Sequence, residues 1–383
     1  MPKFFDILIN STQRVCLLAI VVALVACADD KSIPVGEELQ PIQMAVSSAD
    51  MHSTRALINT TDNLRKACTP APEGDGKSIG IWSAYTLDGL QTTNVLGNSK
   101  GDVALKYIAG TEWDNLQGWT YGEEAVFWVN KAKYTFNAYY PMEVVDEIST
   151  SDVSTFVIDY NTEHYQEDLM MAYAFADTNA PDFNVSKPVE LNMLHTLSAV
   201  QFRFLFMNSD NSTYDDSDRL TACWVENSSQ KRGIATTGIL AFGTKNGDVI
   251  DGEHIHWYYE DYPEPPTANK PRKIYAWEDT AGVPFSSTTT SHTPAVAYST
   301  GNQMYSSNDG WVLMIPQATD GSAKLCFKLA STGDIEHRVA IPATNFEAGY
   351  RYTYNIRFGQ SSVTMTLKIA DWNELKSSHN IAL

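Results

Sequence analysis

Alternation with a period of two is the feature that most limits what this chain can become. Tyr134, Phe136, Ala138 and Tyr140 share one side of a run whose other side is Thr135, Asn137 and Tyr139. Val200, Phe202, Phe204 and Phe206 alternate with Gln201, Arg203 and Leu205. Tyr350, Tyr352, Tyr354, Ile356 and Phe358 alternate with Arg351, Thr353, Asn355 and Arg357. Val363, Met365, Leu367 and Ile369 alternate with Thr364, Thr366, Lys368 and Ala370. Successive side chains of an extended backbone point to opposite faces, so each run reads as a strand with one face to a core and one to water. Asp88-Gly89, Asn246-Gly247 and Asp251-Gly252 supply turns between runs. Helical spacing is scarce, with Leu105–Ile108 and Glu163–Met171 its best stretches. The pattern predicts an all-β sandwich, and 383 residues are enough for two of them.

Composition removes several functions. At 43% hydrophobic and 19% charged, the chain has the apolar residues for packed cores, which excludes disorder as its main state. Its 46 acidic and 27 basic residues leave a net charge of −19, which repels a polyanion, so nucleic acid is not expected as a partner. Motifs of catalysis are missing. Gly74-Asp-Gly76-Lys77-Ser78 has Ala71 where a phosphate loop needs glycine. His254 and His256 share a strand face without an acidic or thiol partner at matching spacing. His195, in Leu194-His195-Thr196-Leu197, reads as a structural histidine. There is no GxSxG or HExxH, and no enzyme activity, metal or cofactor is expected.

The amino terminus reads as an address. Val15–Ala26 is an apolar run of 12 residues, the length of a signal-peptide core and short of the ~20 that a spanning helix needs. It ends in Leu24-Val25-Ala26-Cys27, which resembles a bacterial lipobox. Residues 1–26 are then a lipoprotein signal peptide, and Cys27 is the acylated (palmitate-bearing) residue that anchors the chain to a membrane. Asp29 and Asp30, just after it, resemble the surface-export signal of lipoproteins of the Bacteroides group. The thiols of Cys68, Cys223 and Cys326 read as buried and free, with a Cys223–Cys326 bridge as the alternative.

Residues 28–55 are polar apart from one stretch in which Ile42, Met44 and Val46 alternate with Gln43, Ala45 and Ser47, the pattern of a strand. Residues 57–78 read as a linker, 175–190 as a loop between domains, and 207–232 and 258–310 as polar surface insertions.

Several short segments gain meaning from their order. Thr54-Arg55-Ala56 follows the first strand. Ser78-Ile-Gly-Ile81, Tyr134–Pro141 and Asp168-Leu-Met-Met-Ala172 come next, then Leu194–Phe202, Leu313–Gln317, Ala348–Tyr352 and Ile369-Ala-Asp371-Trp372. Behind a lipobox, this order resembles the fimbrillin family, the type V pilus subunits of the Bacteroides group. The resemblance implies two tandem transthyretin-like β-sandwich domains. It divides the chain into a propeptide with the first strand (27–55), an N-terminal sandwich (56–189) and a C-terminal sandwich (190–383). It also implies a life history. The precursor reaches the outer membrane through its lipid, and an Arg-specific surface protease cuts between Arg55 and Ala56. The strand carrying Ile42, Met44 and Val46 leaves, and a C-terminal donor strand of another fimbrial subunit fills the groove. Val363, Met365, Leu367 and Ile369 have the pattern of that donor, with residues 373–383 as the alternative segment and Arg65 as a rival cleavage site. Implied partners are other subunits, the membrane, and a host or bacterial surface receptor. The competing reading of the same residues is a surface lipoprotein that binds glycans through its aromatic side chains and does not polymerise.

Overall fold

The computed structural model describes residues 41–48, 58, 60–93, 95–96, 102–108, 118–122, 125–144, 148–152, 155–163, 165–206, 219–227, 233–243, 255–258, 272–284, 298–300, 303–305, 311–330, 333, 335–358 and 363–371. Its first half holds β1 (Met44–Ser48), helix α1 (Thr61–Cys68), β2 (Ile79–Leu87), β3 (Leu90–Thr93), β4 (Asp102–Ile108) and β5 (Gly118–Tyr121). These are followed by β6 (Lys133–Tyr140), β7 (Ile148–Asp152), β8 (Thr155–Asn161), β9 (Met170–Asp177) and β10 (Val189–His195). The second half begins with β11 (Ser198–Phe206), β12 (Arg219–Asn227), β13 (Thr237–Gly243), β14 (Ile255–Tyr258) and β15 (Arg272–Pro284). It continues with β16 (Tyr298–Thr300), β17 (Gln303–Tyr305), β18 (Trp311–Met314), β19 (Gln317–Ala318) and β20 (Lys324–Leu329). The last strands are β21 (Glu336–Ala340), β22 (Asn345–Phe346), β23 (Tyr350–Phe358) and β24 (Val363–Asp371).

These strands build an all-β chain of tandem sandwiches. The first sheet runs β1-β10-β9-β6-β2-β4-β5, with β3 as a further partner of β2. The alternating row Tyr134, Phe136, Ala138 and Tyr140 turns inward here, with the Tyr134 and Phe136 rings stacked 5.9 Å apart. The second sandwich faces a β18-β11-β23-β24 sheet with a β15-β12-β20-β21 sheet. Val200 and Phe202 from β11, and Tyr352, Tyr354 and Ile356 from β23, fill the space between them.

A third sheet, β14-β13-β8-β7, takes two strands from each half of the chain. Under it, Tyr139, Met171, Leu197, Leu240 and Leu313 form a core of their own. Gln166 adds a polar tie: its Nε2 donates to the Leu313 carbonyl at 3.1 Å, and its Oε1 accepts from the Leu313 N–H at 2.8 Å. Trp257 Nε1 donates to the Thr196 carbonyl at 2.8 Å. The chain crosses from the first sheet to the second at Thr196 and Leu197, whereas 189/190 lies at the start of β10.

Several local readings change. Leu105–Ile108 is strand, since β4 pairs with β2 through Ile79 and Leu105. Of the stretch 163–171, Glu163 and residues 165–169 are turn and loop, and Met170 and Met171 open β9. The stretch 57–78 contains α1, started by the Thr60 side chain accepting from the Asn63 N–H at 3.0 Å. Leu64, Ala67 and Cys68 put its apolar stripe on the first core. The stretches read as insertions contain β12 and β15, which pair with each other. A register shift between Leu220 and Ala222 breaks the alternation of β12, so Leu220, Cys223 and Val225 face the second core while Ala222 and Trp224 pack on the opposite side. Cys326 lies with Ala222 and Trp224, away from Cys223, so the two thiols are free and no bridge joins them. Cys68 is also buried and free.

Candidate functional site

The candidate site is the seam that β1 closes. Ile42, Met44 and Val46 are all buried and join the first core. Along one edge β1 runs parallel to β10, from Met44↔Val189 to Ser48↔Met193. Just before it, the Gln43 carbonyl accepts from the Val189 N–H at 2.7 Å. On the other side, the Ile42 N–H donates to the Val126 carbonyl at 2.7 Å and Pro41 bridges to Phe127. The Tyr121 hydroxyl, at the end of β5, donates to the Ile42 carbonyl at 2.6 Å. Burial pushes the Tyr121 phenol up to about 12, which keeps the donor protonated. β1 is thus an end strand paired to β10 on one flank, and the residues leading into it, Pro41 and Ile42, are tied to Tyr121, Val126 and Phe127 on the other.

The chain is held on each side of the connection after β1. The Ser48 N–H donates to Thr61 Oγ1 at 3.1 Å, at the first turn of α1. The Ile58 N–H donates to Asp168 Oδ2 at 3.3 Å. The other oxygen of Asp168 lies 2.9 Å from His195 Nδ1, and both side chains are buried. His195 is thus a structural histidine that fixes a carboxylate.

The energetics make β1 a special edge. Burying Ile, Met and Val side chains is worth roughly 1.5–3 kcal/mol each, and each backbone or Tyr121 hydrogen bond adds about 1 kcal/mol. A domain keeps only about 5–15 kcal/mol of net stability. Taking β1 away would expose an apolar trough and leave β10 with a bare edge, a state relieved by another strand of the same pattern.

The structure brings Ile42, Met44 and Val46, the residues expected to be displaced, together at this seam. Cys27, Arg55, Ala56 and residues 373–383 lie outside the described residues. Arg65 sits inside α1, with Nη1 3.0 Å from Asp62 Oδ1 and its guanidinium over the Tyr107 ring. The expected donor residues lie elsewhere, in the second sandwich. There β24 pairs with β23 over its whole length, Phe358↔Val363 to Tyr350↔Asp371, and forms the sheet edge. Met365 packs against the second core, whereas Leu367 and Ile369 are 37% and 52% exposed. Sequence reasoning missed Tyr121, Thr61 and Asp168, which hold β1 and its flank. Their partners are 79, 13 and 110 residues distant, and no local spacing signals such a contact.

Fold and site together define a tandem β-sandwich protein whose first domain is closed by its own leading strand. Residues 54–372 match the family model described as Fimbrillin-like, and the chain belongs to that family. As a member it is a fimbrial subunit or adhesin of the cell surface. A fimbrial protein from Bacteroides vulgatus has the same fold, with TM-score 0.53, 14% identity, and 87% of this chain and 99% of that one covered. A proposed cell adhesion protein from Bacteroides ovatus aligns with TM-score 0.49, 14% identity, and 88% and 99% of the two chains covered. Comparison with curated proteins gave no match.

Proposed function

We propose that this chain is the precursor of a type V fimbrial subunit, anchored in the outer membrane by lipid on Cys27 and activated by loss of β1. Cleavage between Arg55 and Ala56 releases residues 27–55, and a C-terminal segment of another subunit enters the seam between β10 and β5. Donor and acceptor lie on different parts of the molecule, so each addition leaves a new acceptor and a new donor, and the assembly grows as a filament.

The burial of Ile42, Met44 and Val46 at a two-sided seam carries this reading. Loss of this row would open an apolar trough along β10 that another alternating strand could refill. Three further observations support it. The family match begins at residue 54, after β1. Arg55 falls in the connection between β1 and α1, whereas Arg65 is in helical backbone that a protease cannot bind in extended form. Leu367 and Ile369 are apolar residues that a donor strand would bury on seating.

The test is the amino-terminal sequence and intact mass of the protein recovered from the cell surface. The proposal expects a chain that begins at Ala56 and carries no lipid. A lipidated chain that begins at Cys27 in the assembled filament would contradict it.

A further inference from the structure

A second feature of the first sheet lies beside β1, on the far flank of β10. The ladder between β9 and β10 is only two pairs long, Leu194↔Met171 and His195↔Met170. Beyond it the strands part, and a cleft of about 380 Å³ opens between them. That lies near the low end of the roughly 300–1,000 Å³ usual for small-molecule sites.

Its walls mix two kinds of group. Phe175 on β9 is 45% exposed, and Phe183 and Trp128 stand beside it with their rings edge to face, 5.1 Å apart. The indole Nε1–H of Trp128 is buried beneath this wall, with no acceptor among the described residues, so it reports on the cleft without facing it. Across the cleft, Asn192 Oδ1 accepts from Ser47 Oγ of β1 at 2.6 Å, which fixes the amide and leaves its N–H donors unspent. Asp182 is exposed and makes no hydrogen bond or ion pair among the described residues.

The charges decide the class of ligand. Lys187 lies 3.3 Å from Glu190, and Asp177 lies 4.0 Å from Lys133. Both pairs are open to solvent and hold their charges weakly, and the lining sets Asp177, Asp182 and Glu190 against Lys187, so the cleft repels an anionic ligand. It offers the exposed Phe175 face, the Asn192 amide donors, and carboxylate acceptors of which Asp182 makes no ion pair among the described residues. That set fits a ring with one apolar face and a rim of hydroxyls, each both donor and acceptor. We propose that the cleft between β9 and β10 binds a neutral pyranose sugar, with Phe175 against its apolar face and Asp182 and Asn192 on its hydroxyls.

The test is a titration of the uncut chain spanning residues 28–383, labelled with ¹⁵N, with the methyl pyranosides of glucose, galactose, mannose and N-acetylglucosamine. The Trp128 indole resonance is assigned by its loss in Trp128→Phe. At least one glycoside should shift that resonance in a saturable way. Phe175→Ala and Asp182→Ala, both at exposed positions, should each weaken binding about fivefold or more, and Leu90→Ala, at an exposed position away from the cleft lining, should not. The proposal is overturned if no glycoside moves the Trp128 indole, or if both cleft variants bind as the parent does. It is also overturned if only apolar peptides, and no sugar, shift the resonance. Failure here leaves processing at Arg55 and polymerisation unaffected, so the two proposals stand or fall separately.

Discussion

The first and last described strands carry nearly the same message in sequence and meet different fates. Ile42, Met44 and Val46 alternate with polar or small residues, as do Met365, Leu367 and Ile369. In β1 the apolar row is buried and both flanks are covered, by β10 on one side and by Tyr121 and Val126 on the other. In β24 one flank pairs with β23, the other is a sheet edge, and the apolar row emerges from the core as it reaches Ile369. Period-two alternation thus says which face a residue shares, but not how much protein lies over that face. The short strand is the one the core depends on, and the longer one keeps apolar surface in reserve.

The largest test of this contrast is a charge placed in each row. Met44→Asp puts a carboxylate into the first core and should cost roughly 3–5 kcal/mol in urea unfolding of the full chain. Ile369→Asp should change stability by about 0.5 kcal/mol or less. Equal losses at the two positions would end the comparison.

A finer test removes one atom from the seam. Tyr121→Phe deletes the hydroxyl that donates to the Ile42 carbonyl and should cost about 1 kcal/mol. Amide exchange in β1 should speed up, while β24 stays as it was. The same phenol gives a pH signature. Its folded value of about 12 lies above the unfolded ~10, so the folded state holds its proton more tightly. The stability it contributes is complete below about pH 10 and is lost as pH rises toward 12. Melting curves across that window should fall less steeply for Tyr121→Phe than for the parent.

The smallest effect concerns Arg65. Its exposed ion pair with Asp62 is worth little, so Arg65→Ala should shift stability by about 0.5 kcal/mol or less. It should also leave the processed amino terminus at Ala56. A parent chain that begins at Lys66, with that terminus lost in Arg65→Ala, would show that α1 does not shield Arg65.

Part of the fold was legible because alternation sorts side chains onto two faces, although the face expected to meet water is buried too at Asn137, Tyr139, Gln201, Arg351 and Thr353. Tyr134, Phe136, Ala138 and Tyr140 turn inward as their spacing says, and so do Tyr352, Tyr354 and Ile356. What escaped was structure that breaks the period or depends on distant partners. The shift between Leu220 and Ala222 hides β12 in what reads as a polar insertion. Helix α1 is only eight residues long, too short for its stripe to stand out between Pro, Gly and charged residues. The pairing of β8 with β13, Asn161↔Thr237 to Thr155↔Gly243, joins segments some 76 to 88 residues apart and leaves no local trace. For the site, the residues of β1 were readable from alternation, but the groups that hold them were not.

The most direct test of the removable-strand account uses purified chain spanning residues 28–383. It is cut by an Arg-specific protease, then analysed by intact mass and size-exclusion chromatography, beside Arg55→Ala. The account predicts chains that begin at Ala56 and assemble into a ladder of oligomers, with assembly suppressed by excess peptide of residues 41–48 and absent in Arg55→Ala. A cut chain that sheds β1 and remains a folded monomer with an unchanged melting temperature would contradict it.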